Sequence, residues 1–351
     1  GTGIQRLYGG SNISLLSIFE SMDTVTSIND NCGAVTSFND FGFYGCTALA
    51  FVNFPSVKHI PNNPFRGANA VSIALFPNAV TAGTAAFGGT KLIDISLPFL
   101  TSAGDGSFEG MDTLKTAYLP KLTSIPNSCF SGCTSLTTLN ISSATDIGQQ
   151  AFNGCILPTI IAPKVTSIGY RAFYGCPLTT LSFPQLEVIY AEAFFYCSAL
   201  TSFTAPKVND IKANAFQNCS ALQTLYFPFL LSVNDYAFYN NASLTSFIAP
   251  LVASIGDHSF PSCALLTSVD FPLVTYIGPN AFDNCQNLTT INLPAVTNLG
   301  GTPGNDGVFL YITGLTITLT VPVAMETIDG GNPDGDIVLL ASNNTLTINY
   351  I

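Results

Sequence analysis

A chain of 351 residues that is 47% hydrophobic and 9% charged has ample material for a core, which excludes a disordered polymer. Ten Lys and Arg against 21 Asp and Glu leave a net charge of −11, which repels phosphate backbones, so no nucleic-acid partner is expected. Pro, Ser, Thr and Gly interrupt every apolar run before it reaches the roughly 18 to 20 residues that span a bilayer, so no membrane insertion is expected either.

The chain opens on Gly1 rather than Met, without a basic segment leading into an apolar one, so its first residues neither show nor exclude export. Residues 1–42 hold fragments of a pattern, Val25-Thr26-Ser27-Ile28 and Val35-Thr36-Ser37-Phe38, without its full period. That is expected of an N-terminal cap built from degenerate repeats.

From residue 43 the period is complete. Phe recurs every 21 or 22 residues, at Phe43, Phe65, Phe87, Phe108, Phe130, Phe152, Phe173, Phe194, Phe216, Phe238, Phe260 and Phe282. Twelve copies of one unit predict a repeat solenoid over residues 43–299, counted as one domain because arrays grow by adding units. The copy Ala215-Phe216-Gln217-Asn218-Cys219-Ser220-Ala221-Leu222-Gln223-Thr224-Leu225-Tyr226-Phe227-Pro228 is representative. Its Leu-x-x-Leu-x-Leu stretch alternates apolar and polar residues, which reads as a short strand with one buried face. Pro ends that strand in eleven of the twelve copies, with Ser142 the exception, because Pro has no N–H for a ladder.

A second apolar pair follows, as in Val165 and Ile168 or Val252 and Ile255, and lines the opposite side of the core. The stretch from there to the next Phe has room for one helical or 3₁₀ turn only. With the same return path in every copy, successive strands run parallel, giving a sheet on one face and short turns or 3₁₀ segments on the other.

Three residues after the Phe stand Cys46, Cys133, Cys155, Cys176, Cys197, Cys219, Cys263 and Cys285, with Ala68, Thr90, Met111 and Asn241 in the other copies. The slot reads as an internal ladder of buried thiols, and Asn in it points to hydrogen bonding with a turn backbone. Disulfide pairing is the alternative, since rungs about 5 Å apart are close enough although parallel side-chain vectors suit the dihedral poorly. Cys32 reads as a rung of a degenerate first repeat and Cys129 as a stand-in for the small residue before Phe130, neither of them a nucleophile.

Beyond Leu299 the spacing breaks at the Gly- and Pro-rich residues 300–307. Strand-like runs at 315–321 and 337–341 and a last alternating segment at 345–351 make residues 300–351 an expected C-terminal β cap that protects the sheet edge.

The repeat words, Leu-x-x-Leu-x-Leu-Pro, Val-Thr-Ser-Ile-Gly, Ala-Phe and Gly/Asn-Cys, resemble the BspA-like class of leucine-rich repeats over residues 43–299. The resemblance implies a horseshoe-like solenoid and a binding role on a bacterial or protist surface or in a secreted protein, and it carries no catalytic residues.

Outward positions of the strands form two columns. The first contains nine consecutive hydroxyls from Thr116 to Thr290, which read as ordinary strand residues bonding across the ladder or as a polar track for glycans. The second varies, including Leu75, Tyr118, Ile161, Tyr226 and Ile248, and exposed aromatics such as Tyr118 and Tyr226 are favoured contact anchors. Phe51, Ile73 and Leu75 form an apolar patch whose alternative is burial beneath the N-terminal cap.

His59 and His258, the two histidines, are about nine repeats apart, and no carboxylate pair falls where the period predicts proximity, so no enzyme is expected. Asn332, Asp334 and Asp336, with Asp329 nearby, resemble the start of a calcium loop, but Ile337 stands where Gly is needed, so a solvated turn is read and no metal or cofactor. The expected function is a monomeric extracellular or cell-surface adhesion module that binds a protein or glycan through its strand face. The alternative is a structural spacer or self-associating stalk.

Overall fold

The computed structural model describes residues 13–15, 22–300, 307–309, 311–313, 316–322 and 344–351. The chain divides into two compact units, one of Gly1–Val165 with Ala172–Cys176 and one of Thr166–Arg171 with Pro177–Ile351. Each is a run of parallel β-coils, and among the described residues there is no helix.

In the first unit the outer-column strands are three residues long. Ser27–Asn29, Phe51–Asn53 and Ile73–Leu75 pair in parallel register, as do Asp94–Ser96, Thr116–Tyr118 and Thr138–Asn140. The opposite side carries two-residue strands such as His59–Ile60, Thr81–Ala82 and Ser102–Ala103. The second unit repeats the plan, with Thr224–Tyr226 on Ser246–Ile248 and Ser268–Asp270 on Thr290–Asn292. Its short side runs from Ser167–Ile168 to Asn298–Leu299.

Pro ends the longer strands by removing a donor at a fixed place. The residue before it still bonds to the next coil, as Leu119 N–H does to the Asn140 carbonyl and Phe227 N–H to that of Ile248, both at 2.9 Å. Ser142 supplies an N–H that the other copies lack, and Asn140 Oδ1 accepts it at 3.2 Å.

The Phe wall is made of reverse turns rather than a helical turn. Residues two before and two after each Phe are left-handed, for example Asn214 (φ 59°) and Asn218 (φ 62°) around Phe216. Gln217 N–H reaches the Asn214 carbonyl and Cys219 N–H that of Phe216, and none of these turns extends into a 3₁₀ helix among the described residues. The hydrogen bonds of this wall also run against those of the short side. Phe216 N–H donates forward to Ala237 in the next coil at 2.8 Å, while Gly256 N–H on the short side donates back to Val233 at 2.7 Å.

Inside, the rings stack almost face to face. Centroids are 5.1 Å apart for Phe108 and Phe130, and again for Phe152 and Phe173, in the first unit. In the second they are 5.3 Å apart for Phe260 and Phe282, with planes only 2° from parallel. All of these rings are fully buried, and each contributes roughly 1.5–3 kcal/mol of transfer free energy. The stack does not stop at Phe282. Phe309 lies 5.7 Å from it, and Thr316–Val321 pairs in register with Thr290–Asn292 and then with Thr345–Tyr350.

A third ladder locks neighbouring coils where the short strands end. Asp40 accepts from Asn62 N–H, Asn62 from Thr84 N–H, Asp105 from Asn127 N–H and Asn127 from Gln149 N–H, all between 2.8 and 3.1 Å. In the second unit Asp235 accepts from Asp257 N–H at 2.9 Å. The glycine of the Val-Thr-Ser-Ile-Gly word makes room for this side chain, since a Cβ on Gly256 would sit 2.3 Å from Asp235 Oδ1 and 2.7 Å from its backbone N.

Candidate functional site

The cysteine slot is an interior hydrogen-bond position. The thiols of six rungs donate to the carbonyl of the Phe in the preceding coil, as Cys133 to Phe108 (3.1 Å), Cys155 to Phe130 (3.0 Å) and Cys176 to Phe152 (3.0 Å) in the first unit. Cys219 to Phe194, Cys263 to Phe238 and Cys285 to Phe260 follow in the second. Asn241 makes the same bond with its Nδ2, to Phe216 at 3.0 Å, so its place in the slot has a direct cause. No disulfide joins any of the ten cysteines; Cys46, Cys197 and the other rungs are buried, and Cys32 is exposed. Burial pushes Cys133 and Cys263 up to about 12 and holds Cys129, Cys155, Cys219 and Cys285 well above the ordinary thiol value. Such thiols are poor nucleophiles at neutral pH, and the slot can do little beyond closing the turn.

On the strand face Thr116 Oγ1 of the first column donates to Asp94 Oδ1 in the preceding coil, and hydroxyls one residue before that column bond between coils as well. Thr137 Oγ1 donates to the Lys115 carbonyl, Thr201 to Thr179, Thr245 to Gln223 and Thr289 to Thr267. In the second column of the first unit, Tyr118 lies between Ser96 and Asn140 in register and is 45% exposed. Ile161 is 72% exposed, while Phe51 is half-buried beside the exposed Ile73 and Leu75. That apolar patch is open rather than covered.

In the second unit two residues singled out by the column come together. Tyr226 and Ile248 are register partners, 57% and 51% exposed, and line a groove of about 370 Å³ with Ser202, Thr204, Thr224 and Ser246. No charged side chain lines it among the described residues. The result is an apolar pair within a ring of hydroxyls, suited to neutral ligands that offer both a flat apolar face and hydrogen-bonding groups.

A further surface escaped the sequence reading. The residue after each Pro stands at a corner of the coil, outside the inward-facing period; in the second unit it is Gln185 and Lys207 in two coils, and in the next three Phe229, Leu251 and Leu273 occupy it with Leu231 alongside, at 40–58% exposure. They form an apolar ridge along consecutive coils. In the first unit the same corner holds Phe99 and Lys121.

The two histidines lie in different units. His59 Nδ1 is 2.9 Å from Thr81 Oγ1. His258 stacks on Tyr236 at 4.7 Å, and burial raises the nearby Asp283 carboxyl, an effect opposed by the charge of His258. Asp329, Asn332, Asp334, Asp336 and the 337–341 run lie outside the described residues.

No curated protein matches the chain. A leucine-rich repeat protein from Bacteroides ovatus is similar in structure, at 25% identity over 98% of this chain and 88% of that one, with a TM-score of 0.64. A leucine-rich cell surface protein from Faecalibacterium prausnitzii is 25% identical over 83% of this chain and 88% of its own, with a TM-score of 0.43. The model of the BspA-type leucine-rich repeat region matches residues 16–137, 123–245 and 231–328. With nearly all of the chain matched and its coils stacked in parallel, this protein belongs to the BspA-type leucine-rich repeat family.

Proposed function

We propose that this chain is a cell-surface or secreted, non-enzymatic binding module whose longer strand face docks a protein or glycan. The observation that carries the reading is the groove at Tyr226 and Ile248, an apolar pair exposed on a rigid sheet whose backbone groups are already bonded between coils. A large preformed surface costs little ordering on binding. The surface location is supported by the family resemblance, and among the described residues no helix is long and apolar enough to cross a membrane.

An array of matrix proteins and neutral glycans supplies the ligand for the test. Tyr226→Ser with Ile248→Ser weakens that ligand at least tenfold, the scale of losing a contact anchor of about 2 kcal/mol, and Tyr118→Ser reads the first unit separately. Unchanged affinity in all of these variants removes the strand-face assignment. The ridge of Phe229, Leu231, Leu251 and Leu273 favours a second reading, a self-associating stalk. Sedimentation at several concentrations separates the two, since a stalk forms larger species and loses them on Phe229→Ser.

A further inference from the structure

The first unit carries a groove of about 650 Å³ at the corner where its coils turn away from Pro. Lys58, Asn78, Phe99, Thr101 and Lys121 line it, along with Ser56 and its neighbours. Its charge is opposite to that of the chain. Acidic residues outnumber basic ones 21 to 10, yet among the described residues this lining holds two lysines and no carboxylate. Lys91, Arg171 and Lys212 have carboxylate oxygens at 2.7–2.8 Å, whereas Lys58 and Lys121, like Arg66, Lys115, Lys164 and Lys207, have none among the described residues. Between them Phe99 is 46% exposed, with the Lys121 ammonium 4.6 Å from its ring centroid.

The backbone of the groove is not open to a new strand. Val80 N–H donates to the Lys58 carbonyl at 2.7 Å, and Thr101 donates to the Val80 carbonyl through both N–H (2.9 Å) and Oγ1 (3.2 Å). Asn78 Nδ2 takes the Pro55 carbonyl at 2.8 Å. A peptide cannot add here by strand pairing, the mode that would give it affinity without deep side-chain pockets. What the groove offers is two ammonium groups, one aromatic face, the Asn78 Oδ1 acceptor and hydroxyls. From Lys58 to Lys121 the span is three coil steps of about 4.8 Å, or about 14 Å.

We infer that this groove binds an acidic oligosaccharide of about three residues. The apolar face of one sugar rests on Phe99, its anionic groups meet Lys58 and Lys121, and its hydroxyls reach Asn78 and Thr101. The site shares no residue with the strand-face groove, so each stands or falls by its own variants.

Calorimetry with trigalacturonate tests it on the whole chain, with a sulfated heparin tetrasaccharide to distinguish carboxylate from sulfate. At low salt one of the two acidic sugars binds at least tenfold more tightly than neutral maltotriose, and added salt weakens it. Lys58→Gln with Lys121→Gln, and separately Phe99→Ser, each reduce that affinity about tenfold or more, while Tyr226→Ser leaves it unchanged. Equal binding of maltotriose, no binding of either acidic sugar, or indifference to these surface substitutions overturns the inference. Hexaglutamate binding as tightly as the better sugar reassigns the groove to acidic peptides.

Discussion

The thiol ladder makes this fold sensitive to alkali in a calculable way. A protein thiol ordinarily ionises near 9.0, but burial raises Cys129, Cys133, Cys155, Cys219, Cys263 and Cys285, with Cys133 and Cys263 at about 12. In the folded chain these groups therefore keep their protons at pH values where the unfolded chain loses them. The stability associated with them is complete below pH 9 and is lost as the pH rises from 9 towards 12, because the unfolded state then binds fewer protons. At pH 10 each thiol costs on the order of 1 kcal/mol, and six together cost several kcal/mol, divided evenly between the two units. That is comparable to the whole stability of an ordinary domain. Urea unfolding followed by circular dichroism at pH 8, 9 and 10 reads the slope. Tyr and Lys titrate in the same range, so the control is Cys133→Asn, Cys155→Asn and Cys219→Asn together, using the residue that already fills the slot at 241. This variant recovers about half of the alkaline loss due to the thiols. An identical pH slope in the variant and the parent chain refutes the argument.

Three further perturbations separate the parts of the coil. Cys219→Asn stays within about 1 kcal/mol of the parent chain while Cys219→Ala costs roughly 1–3 kcal/mol in urea unfolding, because only Ala leaves the Phe194 carbonyl without its second donor. Phe152→Ala costs about 3–5 kcal/mol, since it opens a gap between two rings each within 5.5 Å, and thermal unfolding detects it as earlier melting of the first unit. Gly256→Ala costs roughly 1–3 kcal/mol through the clash with Asp235, and trimming the partner as well, with Asp235→Ala, recovers only part of it because the backbone N at 2.7 Å remains.

What could be read from the sequence is whatever repeats at one position within a coil. The Phe, Cys and Pro positions recur because each coil repeats the same buried environment, and burial constrains residue type strongly enough for one chain to display the rule twelve times. Even Asn241 was informative, since a polar substitute at a buried slot must preserve a hydrogen bond. The ladder of Asp40, Asn62, Asp105 and Asp235 was harder to see, because its acceptor belongs to one coil and its donor to the next, and Thr84 or Gln149 can stand where Asp might. Phe309 was hidden by an interval of 27 residues after Phe282, a spacing argument that fails when an insertion leaves the core unchanged.

Function is least legible for the same physical reason. Tyr226 and Ile248 could be found because they vary inside a recognisable strand, but the residue after Pro lies beyond that strand and outside the buried core that restricts residue type. It is Ser56, Asn78, Phe99, Lys121 and Lys164 in the first unit and Gln185, Lys207, Phe229, Leu251, Leu273 and Ala295 in the second. The core requires none of these identities. A position that the fold leaves unconstrained, repeated along an array, can change chemistry from coil to coil without loss of stability, and here it ranges from lysine, asparagine and glutamine to phenylalanine and leucine. Exchanging the corner residues between units, Phe229→Asn with Asn78→Phe, should therefore leave the unfolding midpoint within the range of ordinary surface substitutions, about 0.5 kcal/mol, while moving the ligand preference of the first unit. A large loss of stability in that exchange would mean that the corners hold the coils together, and recognition would then have to reside in the strand columns alone.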